Sequence, residues 1–394
     1  MKTKLENSFL TLYLEGRIDS GNASQLEQEV MAAVEEAKDA AYMLDAEKLE
    51  YISSAGLRVL MKLIKRSKEK LSVYNVSPEV YEILETTGFT DLLQVHKALR
   101  KISVEGCELL GDGGNGSVYR IDEDKIVKVY KPWMKEDAIN RERSFARTAF
   151  VNGIPSVIAY DMVKVGNCLG IVFEALNSDT LGHVMRDHPE KLEEYTDKYV
   201  ALAKTLHSTH VPVESFTRIQ EVCHGYIDHL GKWCSKEETE LLHGITDSIP
   251  NADTVTHNDL HPGNIMLQDG ELVLIDMPQV TLGPPIVDLV AIYRDMISAP
   301  TASAGAIEHS IGMPAELILK TGKLFFAKYT GISDPAEMEG YFKKLGLLYA
   351  FNVVLIPGSG SEKAMAKADG IMERLLRAVV IPNEQAIKGL FRTL

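Results

Sequence analysis

The stretch HNDLHPGNIMLQDGELVLIDMPQV, His257 to Val280, gathers oxygen donors and imidazoles into one short run. Asp259 could accept or orient the proton of an attacking hydroxyl. Asn264 and Asp276 are hard oxygen donors suited to Mg2+, which bridges phosphates and offsets charge in the transition state. His257 and His261 raise zinc as an alternative. Imidazoles beside carboxylate and amide donors fit magnesium chemistry better, with the histidines as hydrogen-bonded scaffolding. A strand, GELVLID, would deliver Asp276, and the Asp-Gly of LQDGEL marks the hairpin turn that separates it from Asn264.

Three further pieces bear on the same chemistry. In LGDGGNGSVY, Gly111, Gly113 and Gly116 precede Val118. Strand-like flanks on both sides disfavour a dinucleotide-binding turn, where a helix must follow. A glycine hairpin can instead lay backbone N–H groups over phosphate oxygens, because no side chain blocks the approach. In IVKVYK, Lys128 sits in mid-strand among apolar neighbours, where an ammonium is costly unless it finds an anion. The bland alternative is a solvated strand face, and Lys131 reads as an ordinary surface lysine. Glu142, in the helix NRERSFAR, is a partner for Lys128, chosen over its neighbours by spacing alone. Asp288, opening the apolar run PPIVDLVAIY, reads locally as a helix cap.

These residues need elements to carry them. The first hundred residues alternate strand and helix. FLTLYLEGRID reads as a strand pair, SGNASQLEQEVMAAVEEA as a capped helix, AYMLDAEKL as a strand, and SAGLRVLMKLIKRSKEK as an amphipathic helix. LSVYNVS is again a strand, and PEVYEILETTG a helix with Pro at its first turn and Gly at its end. The pattern predicts a small mixed sheet covered by helices. Beyond Lys101 come three strands, a helix in KEDAINRERSFARTAFVNG, and two more strands; from about Leu192 the pattern is mainly helical. IPGSGSEKA (356–364) looks like a flexible insert too short for a linker. LLYAFNVVLIP reads as a core helix.

Bulk properties set the frame. At 394 residues, two or three domains are expected; 45% hydrophobic and 25% charged residues describe a globular chain. A net charge of −14 argues against a nucleic-acid or anionic-membrane surface. Cys107, Cys168, Cys223 and Cys234 lack metal or disulfide spacing, so reduced thiols are expected. With no signal-like or membrane-spanning apolar run, the protein is expected to be cytoplasmic, with neither nucleic acid nor membrane as partner.

With these pieces in order, residues from about Glu105 onward resemble the protein-kinase-like superfamily, in particular its aminoglycoside-phosphotransferase and choline-kinase branch, whose H-x-D-x-H-x-x-N loop matches HNDLHPGN. The resemblance implies ATP and Mg2+ as cofactors. It makes Asp259 the catalytic base and Asn264 and Asp276 the metal ligands. Lys128 then contacts phosphates with Glu142 behind it. VFEAL becomes a hinge in which backbone atoms of Glu174 and Leu176 bind adenine, with Val118 and Val127 covering its face. Met277-Pro278 stands where most protein kinases have Phe-Gly; the metal-binding carboxylate is kept.

Residues up to about Lys101 resemble STAS domains of anti-sigma-factor antagonists, most specifically through ISSAGL. That resemblance makes Ser54 the phosphoacceptor candidate, with Ser53 where Asp is common in the family. The expected architecture is thus α/β plus α+β: a STAS-like domain (1–102), a kinase-like N-lobe (103–176) and a helical C-lobe carrying the catalytic loop (177–394), forming a bilobal protein-kinase-like fold. The expected function is phosphoryl transfer to a small-molecule hydroxyl or to a protein serine such as Ser54, with an anti-sigma factor or other signalling partner docking on the STAS domain. The alternative is an antagonist or scaffold whose kinase-like part only senses nucleotide.

Overall fold

The computed structural model describes residues 2–6, 9–37, 40–67, 69–302 and 304–393. The chain divides into two compact units, residues 1–103 and 104–394.

The first unit is a five-stranded sheet ordered Lys2–Glu6, Phe9–Ile18, Ala41–Ile52, Ser72–Val76 and Gln94–Lys97. The first pair is antiparallel and the others are parallel. Parallel neighbours require crossovers, and the helices Ala23–Glu36, Ser54–Arg66 and Pro78–Thr86 provide them. FLTLYLEGRI is one strand, not the expected pair; its antiparallel partner is Lys2–Glu6, where every residue is exposed. Leu10, Leu12 and Leu14 alternate into a core shared with Leu44, Leu63 and Val76. Ser53 caps the helix Ser54–Arg66, its side chain accepting from Gly56 N at 3.4 Å, and Ser54 is the exposed first helical residue.

The second unit begins with antiparallel strands ordered Ala159–Val165, Cys168–Glu174, Lys125–Tyr130, Gly116–Arg120 and Glu108–Asp112. The helix Glu136–Val151 packs on the first two of these. Helices then dominate, among them Leu192–Ser208, Ala315–Thr330 and Pro335–Leu355. Their core includes Tyr199, Phe325, Phe326 and Phe351, all fully buried. LLYAFNVVL falls in the helix Pro335–Leu355, with Leu345, Leu348, Phe351 and Val354 inside.

IPGSGSEKA is anchored at one point, while Ile356, Ser359, Gly360, Glu362 and Lys363 are exposed. Pro357 and Gly358 are buried, and a Cβ on Gly358 would lie 1.9 Å from Tyr226 O, so only glycine lets the two backbones touch. The four cysteines are free thiols. Among the described residues, no helix is long and apolar enough to cross a membrane.

Candidate active site

Lys128 lies on a strand paired on both sides, opposite Val118 and Ile171. Its side chain is 15% exposed, and its Nζ stands 2.7 Å from Glu142 Oε1 and 2.6 Å from Asp276 Oδ1. The strand supplies the lysine, the helix Glu136–Val151 supplies Glu142, and Asp276 comes from the segment after the strand Glu271–Leu274. Burial pushes the Lys128 ammonium down, but the charges of Asp276 and Glu142 outweigh it and hold the group above its ordinary value. Of the charged residues in NRERSFAR, the structure selects Glu142, the buried one.

The loop from His257 to Asn264 is shaped by a residue buried behind it. Asp288 is fully buried and accepts the backbone N–H of His257 at 2.9 Å and of Asn258 at 2.6 Å. His207 Nε2 lies 3.1 Å from the same carboxylate and joins it to Tyr329 through a 2.8 Å contact at Nδ1. The cap expected at Asp288 is therefore overturned: Pro285 stands at the cap position, and Asp288, inside the helix Ile286–Tyr293, clamps the loop. Asn258 takes a left-handed φ of 64° and donates from Nδ2 to Gln279 O at 2.6 Å and Thr281 Oγ1 at 2.9 Å. Asp276 is also left-handed, at φ 59°, a conformation that costs an L-residue energy and is held here by its surroundings.

Asp259 and Asn264 are in direct contact, Asn264 Nδ2 donating to Asp259 O at 2.9 Å and to Oδ2 at 3.0 Å. Ile275 N donates to Asn264 O at 3.0 Å, which ties Asn264 to the residue before Asp276. Asp269 (φ 51°) and Gly270 (φ 86°) make the tight turn between the two strands that carry them, as the Asp-Gly pair predicts. Burial raises the Asp259 carboxyl, but His261, Arg294, His257 and the Asn264 hydrogen bond together bring it below the usual carboxylate range. His261 is a buried scaffold residue, its Nδ1 accepting from Gly263 N at 3.1 Å and its Nε2 lying 3.7 Å from Asp259 Oδ2. Tyr199 supports the loop from below, donating to Leu260 O at 2.6 Å.

Asn264 and Asp276 offer one amide and one carboxylate oxygen. Because Asn264 Nδ2 is committed to Asp259, Oδ1 is the end left to act as a ligand. Among the described residues no larger group of His, Cys, Asp and Glu is placed to hold a metal. A hard cation that keeps several waters suits such a sparse oxygen set, so the residues fit magnesium-class binding.

At the glycine hairpin, Gly113 N donates to Gly116 O at 2.8 Å. A Cβ on Gly116 would lie 2.6 Å from Val129 O, whereas Gly111 faces open space. Lys131 makes a surface ion pair, its Nζ contacting Asp112 Oδ1 at 2.7 Å, and Ser117 Oγ donates to the same oxygen at 2.6 Å. Val118 lies directly across from Lys128 and so shares its face. Val127 is fully buried on the opposite face, because neighbouring strand residues point to opposite sides. Its expected role over a base in the cleft is corrected, and Ile126 is the residue sharing the Lys128 face. Glu174 N already donates to Ile158 O at 3.0 Å and Ala175 N to Asp124 O at 2.8 Å. Glu174 can therefore meet a base only through its carbonyl.

Lys128, Glu142 and Asp276 thus form one cluster, and Asp259 and Asn264 a second that is bonded to it through Ile275. Ser54 belongs to the other compact unit. Arg294 was not foreseen: it lies 2.7 Å from Asp259 Oδ1, yet its sequence context, the end of an apolar helix, signals nothing.

A family model described as "Phosphotransferase enzyme family" matches residues 106–315, and the STAS domain model matches residues 1–102. BtrV of Bordetella bronchiseptica, provisionally described as an anti-sigma factor antagonist, is 36% identical over 92 residues, covering 23% of this chain and 78% of that protein. Similar solved structures include ADP-bound aminoglycoside phosphotransferase APH(2'')-Ib, at 15% identity and TM-score 0.45, covering 72% of this chain and 94% of that one. A choline/ethanolamine kinase family protein from Mesorhizobium loti has 16% identity and TM-score 0.43, covering 73% and 92%. The match over more than half the chain places it: it belongs to the phosphotransferase enzyme family, and its first 102 residues are a STAS domain.

Proposed function

We propose that this protein transfers the terminal phosphoryl group of ATP to a hydroxyl acceptor. The observation that carries the reading is the convergence of Lys128, Glu142 and Asp276, whose partnerships span 14 and 148 residues, beside the Asp259–Asn264 pair. Amides of the glycine hairpin and the Lys128 ammonium meet phosphate oxygens. Ile126 and Val118 cover the adenine face, and the Glu174 carbonyl and Leu176 N–H bind its edge. Asn264 Oδ1 and Asp276 would hold a divalent cation, in the first instance Mg2+, which would supply positive charge against the phosphates. Asp259 takes the proton of the acceptor hydroxyl as that oxygen bonds to phosphorus; the bond to the bridging oxygen breaks, and ADP leaves with the electron pair.

The acceptor is a small alcohol or a protein serine. Fusion to a STAS domain favours the serine, because a tethered substrate is present at about millimolar effective concentration. Ser54, exposed at a helix N-terminus, is the serine we name. The likeness to BtrV supports a signalling partner, such as an anti-sigma factor, for residues 1–102.

Purified protein incubated with γ-labelled ATP and Mg2+ is expected to place label on the chain, on water or on an added alcohol. Asp259→Asn lowers all three by about 10²- to 10⁴-fold, leaving a residual rate, and Ser54→Ala removes the label from the chain if Ser54 is the acceptor. Nucleotide binding without turnover to any acceptor would instead support the antagonist or scaffold reading.

A further inference from the structure

The Asp259 carboxylate is held at both ends. Asn264 Nδ2 donates to Oδ2 at 3.0 Å, and Arg294 Nη2 donates to Oδ1 at 2.7 Å. Arg294 is itself gripped: Nε donates to Asp295 Oδ1 at 2.7 Å and Nη2 to Asp295 Oδ2 at 2.6 Å, the two-pronged geometry of an arginine–carboxylate pair. The two residues open a π-helical turn, Arg294–Ser298, that continues the helix Ile286–Tyr293. Such single-turn widenings are rare and recur at functional sites.

Burial sorts the roles. Asp295 is nearly inaccessible, whereas the Arg294 side chain keeps about a third of its surface exposed. Burial pushes the Arg294 guanidinium down, but Asp295 and Asp259 outweigh it, so the group stays charged. A guanidinium fixed by one carboxylate has little rotamer freedom left to lose when it donates to a second. Each Asp259 oxygen accepts one of these side-chain donors and has a second lone pair for a substrate hydroxyl.

We propose that Arg294 is a positioning residue for phosphoryl transfer: it sets the direction of the Asp259 carboxylate toward the acceptor hydroxyl, and Asp295 holds it in place to do so. The inference rests on Asp259 receiving the acceptor proton. Arg294 acts only through Asp259, so its effect must vanish when Asp259 can no longer act.

The test is a double-mutant cycle on the full chain, using ATP with Mg2+ as the probe. Phosphate release to water and label on the chain are the rate readouts, and nucleotide affinity and thermal midpoint are measured alongside. Arg294→Ala is expected to lower kcat by about 10- to 100-fold, the scale of a misplaced reacting group, with nucleotide Kd within about twofold. Arg294→Lys, which keeps a donor but loses the fork, recovers part of the rate, and Asp295→Asn falls between native and Arg294→Ala. In an Asp259→Asn background, Arg294→Ala costs nothing further. An unchanged kcat in Arg294→Ala, or a loss that simply adds to that of Asp259→Asn, overturns the inference. So does a loss of nucleotide affinity that parallels the loss of kcat, the mark of a merely structural pair. Should Arg294→Ala not fold, Arg294→Lys and Asp295→Asn carry the same comparison. Full activity in Asp259→Asn defeats the reading of Asp259 itself. A silent Arg294→Ala beside a strongly slowed Asp259→Asn defeats only this step.

Discussion

Lys128 is a cation held nearly out of water between two carboxylates, one of which, Glu142, is itself buried. Breaking such a pair hurts because the remaining charge is left stranded, while the pair as a whole need not stabilise the fold. Lys128→Met is therefore expected to cost about 3 kcal/mol in urea unfolding of residues 104–394. Lys128→Met with Glu142→Leu should recover most of that loss, while both variants bind nucleotide more weakly than the native chain; a double variant no more stable than the single would refute the stranded-charge account. Asp288→Asn should cost about 2 kcal/mol, since the carboxylate accepting two backbone N–H groups from the loop becomes a neutral amide. It should also slow turnover although the side chain touches no substrate. Burial pushes the Cys223 thiol up to about 12. A raised folded-state value leaves stability intact at neutral pH and withdraws this group's contribution only as pH climbs above its unfolded value toward 12. Cys223 should accordingly resist thiol reagents at pH about 8 in the native protein and react once the chain is unfolded in urea.

The glycine hairpin separates two reasons for the same residue type. Gly116 has no room for a methyl group against Val129 O, while Gly111 has open space and Gly113 would meet only Gly116 O at 3.7 Å. Gly116→Ala should therefore destabilise the sheet by about 1–3 kcal/mol, the usual toll of overpacking. Gly111→Ala should melt like the native protein, so that any drop in its ATP affinity reports the approach of phosphates and nothing else. The same elements show what a one-dimensional pattern conveys. The hairpin Ile265–Gln268 and Glu271–Leu274 was legible because Asp269-Gly270 fixes the turn locally. FLTLYLEGRI was misjudged as two strands because alternation tells how residues face and not where a strand meets its partner. Val127 is expected beside the cleft but is buried on the face away from Lys128, a one-residue slip that moves a side chain to the other face of the sheet.

Each of the two compact units has its own buried core, with Leu12, Leu44, Leu63 and Val76 in residues 1–103 and Tyr199, Phe325 and Phe351 in residues 104–394. Expressed apart, each is expected to unfold cooperatively, and 104–394 alone should bind ATP with the affinity of the full chain; calorimetry and nucleotide titration on the two pieces check both outcomes. The sequence by itself determined the order of the two units, the alternation of strands and helices, and the residue types of the loop from His257 to Asn264. These are legible because period, turn chemistry and a short contiguous motif are properties of neighbours along the chain. Only the tertiary structure decided that Asp288 clamps the loop instead of capping a helix, and that Arg294 grips Asp259. Those pairings join residues 30 to 35 positions apart, on elements whose meeting point is set by how they pack, and no local periodicity encodes that point.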